Sequence, residues 1–204
     1  GVGFDAVEVY APNGAMVARV PSPRLLPDYP ANLGVGRRQL QKVLADAARD
    51  AGTVIRLGLT ASAIDDDGEA VQVTFSDGST GRFDIVIGAD GVYSQTRAMI
   101  LPDAEQPQFT GQAVWRYNLP RPANLDALNV YNGPTGVGLV PISDDLMYIY
   151  VTTPEPGNPR YPREGLAAAM RSRMAGCAPA IRELGELITD DDGVVYRPLE
   201  GMLV

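Results

Sequence analysis

The clearest periodic pattern in the chain lies in residues 37–51. The apolar positions recur at i, i+3, i+4, i+7, i+8 and i+11, and they are Leu40, Val43, Leu44, Ala47, Ala48 and Ala51. This spacing places one apolar stripe along a helix, and Gly52 follows where a helix commonly ends. Residues 53–57 then predict a short strand. A helix followed by a strand indicates an α/β layer in this part of the chain.

Short β-type segments separated by turn residues surround this helix. Residues 5–10 and 16–20 flank Asn13-Gly14, which predicts a hairpin, and the Pro- and Gly-rich residues 21–36 predict a loop. Three more segments predict an antiparallel meander with Asp-Gly turns, and they are residues 61–66, 70–75 and 80–83.

The end of the meander runs into a different pattern. Ile85, Val86 and Ile87 are apolar without alternation. That pattern is typical of a strand buried on both faces of a covered parallel sheet. We therefore expect a buried strand here.

The character of the chain changes near residue 106, after a polar, proline-containing connector. Four segments then predict antiparallel strands, and they are residues 112–119, 128–132, 136–142 and 146–153. Residues 164–176 and 180–188 predict helices, with Pro179 starting the second, and residues 194–197 predict a last strand. The fold class is therefore α/β (α+β): a partial α/β domain with a β-meander over residues 1–106, and a mostly antiparallel-sheet domain with helices over residues 107–204.

Composition excludes several kinds of function. The net charge of −8 disfavours a nucleic-acid partner and binding to anionic membranes, and no apolar run approaches the ~18 residues of a membrane span. The chain has one cysteine, Cys177, and no histidine, so it can form neither a disulfide within itself nor a histidine-based catalytic triad or metal site. We expect a cytoplasmic protein without a metal, whose demanding chemistry belongs to a bound organic cofactor.

The segment from Gly88 to Arg97 carries the most specific chemical signal. A predicted buried strand ends in Gly88-Ala89-Asp90-Gly91, and Ser94 then stands where a helix N-cap is expected. Glycines let a backbone approach a ligand closely, and a helix N-terminus offers N–H groups to an anion such as a pyrophosphate. Arg97 is placed to hold Asp90 by a charge-assisted hydrogen bond. The alternative is an ordinary strand–turn–helix junction, which the residues alone favour slightly.

Arg37 is the second signal. It lies three residues before Leu40 and shares the apolar face of the helix, while Arg38 is turned away. An arginine at a helix N-terminus faces the positive end of the helix dipole and needs an anionic partner. That partner is either a cofactor phosphate or flavin edge, or a local carboxylate such as Asp28, and the two remain equally open.

Together these residues resemble the flavoprotein aromatic hydroxylases, the family of para-hydroxybenzoate hydroxylase. Gly88-Ala89-Asp90-Gly91 with Ser94 and Arg97 is similar to that family's Asp-Gly motif, and Arg37 with Leu40 and Leu44 is similar to its arginine-x-x-leucine helix. The order of elements is similar over nearly the whole chain. The resemblance implies that residues 1–106 are a partial FAD-binding domain and that residues 107–204 bind the substrate.

The resemblance also implies a cofactor site. Asp90 and Gly91 would lie beside the diphosphate of FAD, Arg97 would brace their turn, and Arg37 would contact the flavin, with NAD(P)H as the electron donor. The family's Gly-x-Gly-x-x-Gly and Gly-Asp segments are not found in this sequence. We therefore expect an internal fragment of a longer enzyme, inactive by itself and weak or lacking in FAD binding.

The substrate implied by the resemblance is a small aromatic molecule. Alternation places Trp115 and Tyr117 on one face of a strand, and Tyr131 and Leu139 lie on neighbouring strands. These four are the candidate pocket residues, although each alone is more often a core residue. Arg116 is suited to a substrate carboxylate but points to the opposite face.

Two alternatives to hydroxylation remain open. One is another flavoprotein of the same superfamily, an epoxidase, a halogenase or a reductase, since the Asp-Gly motif is shared among them. The other is a small-molecule binding module without catalysis.

Overall fold

The computed structural model of the chain describes residues 1–202. In the first half the elements are β1 Val2–Phe4, β2 Ala6–Tyr10, β3 Met16–Pro21, β4 Asn32–Gly34, α1 Arg37–Asp50, β5 Ala61–Asp66, β6 Val71–Phe75, β7 Thr80–Phe83 and α2 Gln95–Ile100. In the second half they are β8 Gln108–Pro120, β9 Leu128–Tyr131, β10 Gly136–Pro141, β11 Leu146–Pro154, α3 Leu166–Met174, α4 Pro179–Glu186 and β12 Val195–Gly201. The predicted mixed α/β class is confirmed.

The elements pack as two units. Residues 1–43 and 109–199 form the first, and residues 44–108 with the chain from Glu200 form the second. The change of unit near residue 108 lies close to the predicted boundary at 106. Residues 1–43, however, pack with the second half of the chain, because their hairpin joins its sheet. The division into an FAD-binding part over residues 1–106 and a substrate part over residues 107–204 stays a prediction about the whole enzyme.

A seven-stranded sheet organises the first unit, in the order β12-β8-β11-β10-β9-β2-β3. The pairs β8–β11, β11–β10, β10–β9 and β2–β3 are antiparallel, which confirms the predicted strands and the hairpin across Asn13-Gly14. The exception is β2, which pairs with β9 in parallel. A parallel pair needs a long connection, and here more than a hundred residues separate the two strands.

One face of this sheet is covered by α3 and α4 and forms the main core. Its fully buried members come from β8, β10, β11 and both helices, and they include Trp115, Val137, Ile149, Met170 and Ile181. Helix α4 starts with Pro179, as predicted. Helix α3 has no side-chain cap of its own at Gly165. The Asp191 carboxylate supplies one, accepting hydrogen bonds from the backbone N–H groups of Gly165 and Ala167, each at 2.8 Å.

The second unit contains the predicted meander as the antiparallel sheet β5-β6-β7. Asp67 closes its first turn by accepting from the N–H groups of Glu69 and Ala70, and Asp77 closes the second by accepting from Ser79. These aspartates are therefore turn-forming groups.

Three sequence predictions are wrong. Residues 53–57 and 85–87 form no strand, and Val54, Ile85 and Ile87 are 82%, 77% and 84% exposed. A strand needs a hydrogen-bonding neighbour, and among residues 1–202 no strand pairs with either segment. The loop predicted over residues 21–36 contains β4. This strand pairs with β1 and so holds β1 beside the segment that leads into α1. Within the described residues, no helix is both long and apolar enough to cross a membrane.

Candidate functional site

The Asp90 turn follows the meander in the second unit. The Asp90 carboxylate accepts hydrogen bonds from the Ser94 hydroxyl at 2.5 Å, from the Thr96 N–H at 3.0 Å and from the Thr96 hydroxyl at 3.1 Å. Ser94 is the N-cap of α2, as predicted, since its hydroxyl accepts from the Arg97 N–H at 2.9 Å. The hydrogen bond from Ser94, followed by that from the Thr96 backbone, lowers the pKa of Asp90 well below its ordinary value, so the turn keeps a negative charge.

Arg97 braces this turn in a different way from the one predicted. Its guanidinium donates to the Val92 carbonyl oxygen at 2.8 Å instead of pairing with Asp90. Asp90 is already held by Ser94 and Thr96, so it does not need the arginine. Asp90, Gly91 and Arg97 therefore belong to one small structure, as the sequence implied, but the arginine holds the backbone and not the carboxylate.

Two of the N–H groups at the start of α2 are already used by side chains, so fewer are available to an anion than the pattern suggested. The N–H of Thr96 is taken by Asp90, and the N–H of Arg97 is taken by Ser94. The opening in this region is at Gly91 instead. Its φ is +86°, which favours glycine, and a Cβ atom there would have no neighbour within 4 Å. A ligand can approach the backbone of this turn closely at Gly91.

Arg37 is exposed at the start of α1, and among the described residues it pairs with no carboxylate, Asp28 included. The apolar stripe of α1 is also open, with Leu40 42%, Val43 64% and Leu44 60% exposed. The helix is predicted correctly, but the burial of its stripe is not observed. Within residues 1–202, Arg37 thus has no carboxylate partner and the apolar stripe is only partly covered.

The four predicted pocket residues lie together on the helix-covered face of the seven-stranded sheet. Trp115, Tyr131 and Leu139 are buried there, and Tyr117 is partly buried against the same cluster. Tyr131 stacks on Tyr10. This is the arrangement of core aromatics, the alternative that the sequence left open. The role of these residues toward a substrate stays a prediction. In this unit they pack in the hydrophobic core between the sheet and its helices.

A buried polar network that the sequence did not predict surrounds Trp115. The indole N–H is 3.0 Å from the Thr153 hydroxyl and 3.3 Å from Glu155, and the Arg173 guanidinium lies over the indole ring at 4.4 Å. Tyr161 donates to Glu155 at 2.6 Å. The one signal in the sequence was that a buried tryptophan needs an acceptor for its N–H. No pattern in the sequence indicates that Glu155 and Arg173, 40 and 58 positions after Trp115, would provide the network.

Charge in this network is balanced by one ion pair. Arg173 approaches Glu155 at 2.8 Å, and Glu155 is only 4% exposed. Burial alone would raise the pKa of Glu155, but the hydrogen bonds from Arg173, Tyr161 and Thr153 outweigh it and lower the pKa to about 2. The hydrogen bond to Glu155 raises the pKa of Arg173. The pair is therefore ionised at neutral pH and joins the residue that follows β11 to α3.

The opposite face of the same sheet is half open. Tyr148 and Tyr150 of β11 are half-buried there, with ring centroids 6.3 Å apart. Arg116 of β8 is directly opposite Tyr150 in the pairing, is exposed, and pairs with no carboxylate among residues 1–202. Burial, and to a lesser extent the Tyr148 hydroxyl, raises the pKa of Tyr150, so it stays a neutral phenol. This face combines aromatic rings with an unpaired cation.

The comparisons with known proteins agree on the family. The pattern of the FAD binding domain family matches residues 14–174, most of the chain. The FAD-dependent urate hydroxylase of Klebsiella pneumoniae is 28% identical over 155 residues, covering 74% of this chain and 40% of that protein. The 6-hydroxynicotinate 3-monooxygenase of Bordetella bronchiseptica is 34% identical over 122 residues, covering 57% of this chain and 30% of that protein.

The fold is shared with solved structures. The structure of Klebsiella pneumoniae HpxO complexed with FAD and uric acid superposes with a TM-score of 0.80 at 22% identity, over 99% of this chain and 53% of that one. The chain thus spans less than half the length of the curated relatives above and about half of that solved chain. Since the family pattern covers well over half of this sequence, the chain belongs to the FAD binding domain family.

Proposed function

We propose that this chain is part of a flavin-dependent monooxygenase that hydroxylates a small aromatic molecule with NAD(P)H and O₂. The observation that carries the proposal is the match of residues 14–174 to the FAD binding domain family, because it includes both the Asp90 turn and most of the seven-stranded sheet. Two relatives over this region are named for hydroxylating urate and 6-hydroxynicotinate, which are ring compounds. FAD, when bound, would take electrons from NAD(P)H and pass them to O₂.

We assign the flavin side to Arg37, Asp90, Gly91 and Arg97. The open space at Gly91 supports close approach of the cofactor to this turn. Asp90 keeps the turn in shape through Ser94 and Thr96, and Arg97 fixes its carbonyl at Val92. Arg37 lacks a carboxylate partner among the described residues, which is the state expected of a guanidinium that contacts a flavin. Each group would suit FAD within its own unit, the open backbone at Gly91 in one and the Arg37 cation in the other.

On the substrate side, the half-open face of the sheet supports binding of a ring. Tyr148 and Tyr150 offer aromatic surface, and Arg116 offers an unpaired cation beside them. An arginine binds a carboxylate or an oxyanion with two donors. Trp115, Tyr117, Tyr131 and Leu139, the pocket residues predicted from the sequence, would act from the buried face by holding β8, β9 and β10 in place. The substrate class that fits is a planar aromatic anion.

We also propose that the 204-residue chain alone retains FAD weakly. Ile85, Ile87 and Val54 are largely exposed, so the segments that precede the Asp90 turn are not covered by described residues. A cofactor site next to uncovered segments is poorly fixed. Purification of this chain with FAD should therefore give a substoichiometric complex. A tight one-to-one complex would contradict this part of the proposal.

The proposed activity is tested on the product of the complete coding sequence that includes this segment. We expect bound FAD, NAD(P)H oxidation that accelerates when a ring substrate is added, and a product that gains one oxygen atom from ¹⁸O₂ by mass spectrometry. A substrate screen of hydroxylated benzoates, urate and hydroxynicotinates covers the proposed class. Oxidation of NAD(P)H without oxygen incorporation into any ring would contradict hydroxylation and favour a reductase.

A pair of variants tests the flavin-side assignment in that protein. Replacing Asp90 by Ala removes the acceptor for Ser94 and Thr96, so FAD retention should fall. Asp84→Asn, six residues earlier in an exposed position, is the matched control and should retain FAD normally. Equal FAD content in both variants would contradict the role of the Asp90 turn.

A further inference from the structure

The middle of the half-open face has an unusual pair of neighbours, Gly138 of β10 and Tyr150 of β11. They are directly opposite each other in the antiparallel pairing, so their side-chain positions share one face. A Cβ atom added at Gly138 would lie 2.1 Å, 2.2 Å and 2.5 Å from the Cε1, Cζ and hydroxyl oxygen of Tyr150. The tyrosine ring therefore lies across β10 in the space that any other residue would fill.

The backbone gives no other reason for a glycine at this position. Gly138 does not have a positive φ, unlike nine other glycines among the described residues, so any residue type can adopt its conformation. Glycine weakens the interior of a strand and typically marks a place where another group approaches closely. The group that approaches here is the Tyr150 ring, and Gly138 is buried beneath it.

The neighbouring pair on the same two strands is different. Tyr148 is opposite Val140, whose branched side chain occupies the corresponding space on β10. Of these two tyrosines, only Tyr150 can therefore pack its ring against the backbone of β10. On its other side, Tyr150 is opposite Arg116 of β8. Because the ring extends toward β10, it does not cover the Arg116 guanidinium, which stays exposed.

We propose that Gly138 is a specificity-determining residue. Because it has no side chain, the Tyr150 ring packs against the backbone of β10 and leaves the Arg116 guanidinium uncovered. The aromatic surface and the neighbouring cation together select planar ring anions. This inference rests on the proposed function, since it places the substrate on this face. A larger residue at position 138 would lift the ring of Tyr150. The lifted ring would fill the space above the sheet or cover the guanidinium.

The test is calorimetric titration of the whole flavoprotein with salicylate as the planar probe and cyclohexanecarboxylate as a probe of equal charge with a puckered ring. We expect the wild type to prefer salicylate by about twofold to tenfold, from one good ring contact. Gly138→Val should remove that preference by weakening salicylate binding to a similar extent. Adding Tyr150→Ala to Gly138→Val should restore part of the lost affinity, because the displaced ring is then gone.

Several results would overturn the inference. One is unchanged salicylate binding in Gly138→Val, and another is a loss that Tyr150→Ala does not relieve, since the valine itself would then be the cause. Equal affinity of the wild type for both probes, or no binding of salicylate, would overturn it as well. Gly133→Ala is the control for glycine replacement in the adjacent turn, where a Cβ meets nothing closer than 3.6 Å. Calorimetry does not depend on turnover, so these outcomes are distinct from failure of the oxygenation assay.

Discussion

Tyr10 of β2 stacks on Tyr131 of β9, with their ring centroids 4.4 Å apart and their planes 10° apart. The two residues are also direct neighbours in the parallel pairing of these strands. The Asn129 amide is 3.4 Å from the Tyr10 hydroxyl, which in turn donates to Glu8 at 2.7 Å. This contact fixes the position at which the first hairpin joins the sheet of the second half.

Removing the stack should loosen that junction. We expect Tyr131→Ala to lower the free energy of unfolding by about 3 kcal/mol, as for other large-to-small aromatic replacements in a core. Urea unfolding followed by circular dichroism measures it. Tyr131→Phe is the control, because it keeps the ring and should cost no more than about 1 kcal/mol. Equal losses in the two variants would mean that the hydroxyl, and not the stack, holds the junction.

The buried ion pair predicts a specific acid sensitivity. The folded state lowers the pKa of Glu155 from 4.5 to about 2, so its contribution to stability is fully present above pH ~4.5 and is lost as the pH falls toward 2. Glu155→Gln should remove this part of the pH dependence. At pH 7 it should also destabilise the protein by about 3–5 kcal/mol, because it leaves the Arg173 charge without its partner.

A double variant separates the charge effect from packing. Glu155→Leu with Arg173→Met removes both charges and should be more stable than either single variant, since no unpaired buried charge is left. Unfolding curves at several pH values between 2 and 7 provide the comparison. A Glu155→Gln protein with the acid profile of the wild type would contradict the role of this carboxylate.

The Asp191 cap predicts a second effect of acid. Hydrogen bonds from the N–H groups of Ala167 and Gly165 lower the pKa of Asp191. Its stabilisation is therefore present above the ordinary pKa of an aspartate and is lost as the pH falls below it. Asp191→Ala should lower the melting temperature at pH 7 and fray the start of α3 in hydrogen exchange. Asp192→Ala removes only an exposed ion pair with Arg163 and should leave α3 protected.

Gly34 predicts a strict steric requirement. A Cβ atom there would lie 1.7 Å from the Pro141 carbonyl oxygen, and this backbone atom is unable to move aside cheaply. Gly34→Ala should destabilise the first unit by about 1–3 kcal/mol through overpacking. Gly133→Ala is the matched replacement in open space and should be nearly neutral. A stable Gly34→Ala protein would show that β4 is free to shift away from Pro141.

Local patterns in the sequence were sufficient for most elements. The stripe of Leu40, Val43 and Leu44 predicted α1, and the two Asp-Gly turns predicted the meander, because both signals are carried by neighbouring residues. The Ser94 cap was predicted for the same reason. Burial was not predictable in this way. Ile85 and Ile87 have the composition of a covered strand, but a covered strand also requires neighbouring strands, and none is present among residues 1–202.

Contacts between distant residues account for what the sequence could not predict in the candidate site. Alternation correctly separated the two faces of β8 and β11, but it does not say which face the helices cover. Trp115 was assigned to a pocket, and in the structure α3 and Arg173 enclose it on that face, while its role toward a substrate stays a prediction. The Arg97 contact with Val92 was missed because Ser94 and Thr96 satisfied Asp90 first. Which group a side chain hydrogen-bonds to depends on the positions of its neighbours in the folded structure, and composition does not encode these positions.

The parallel pairing of β2 with β9 also has a consequence for biosynthesis. The ribosome makes the β2–β3 hairpin before β9, its neighbour in the sheet, which emerges more than a hundred residues later. Until then one edge of β2 has unpaired N–H and C=O groups, an arrangement that invites pairing with other chains. Closing so long a loop also slows folding. We therefore expect the nascent hairpin to carry an unpaired strand edge until β9 has been made.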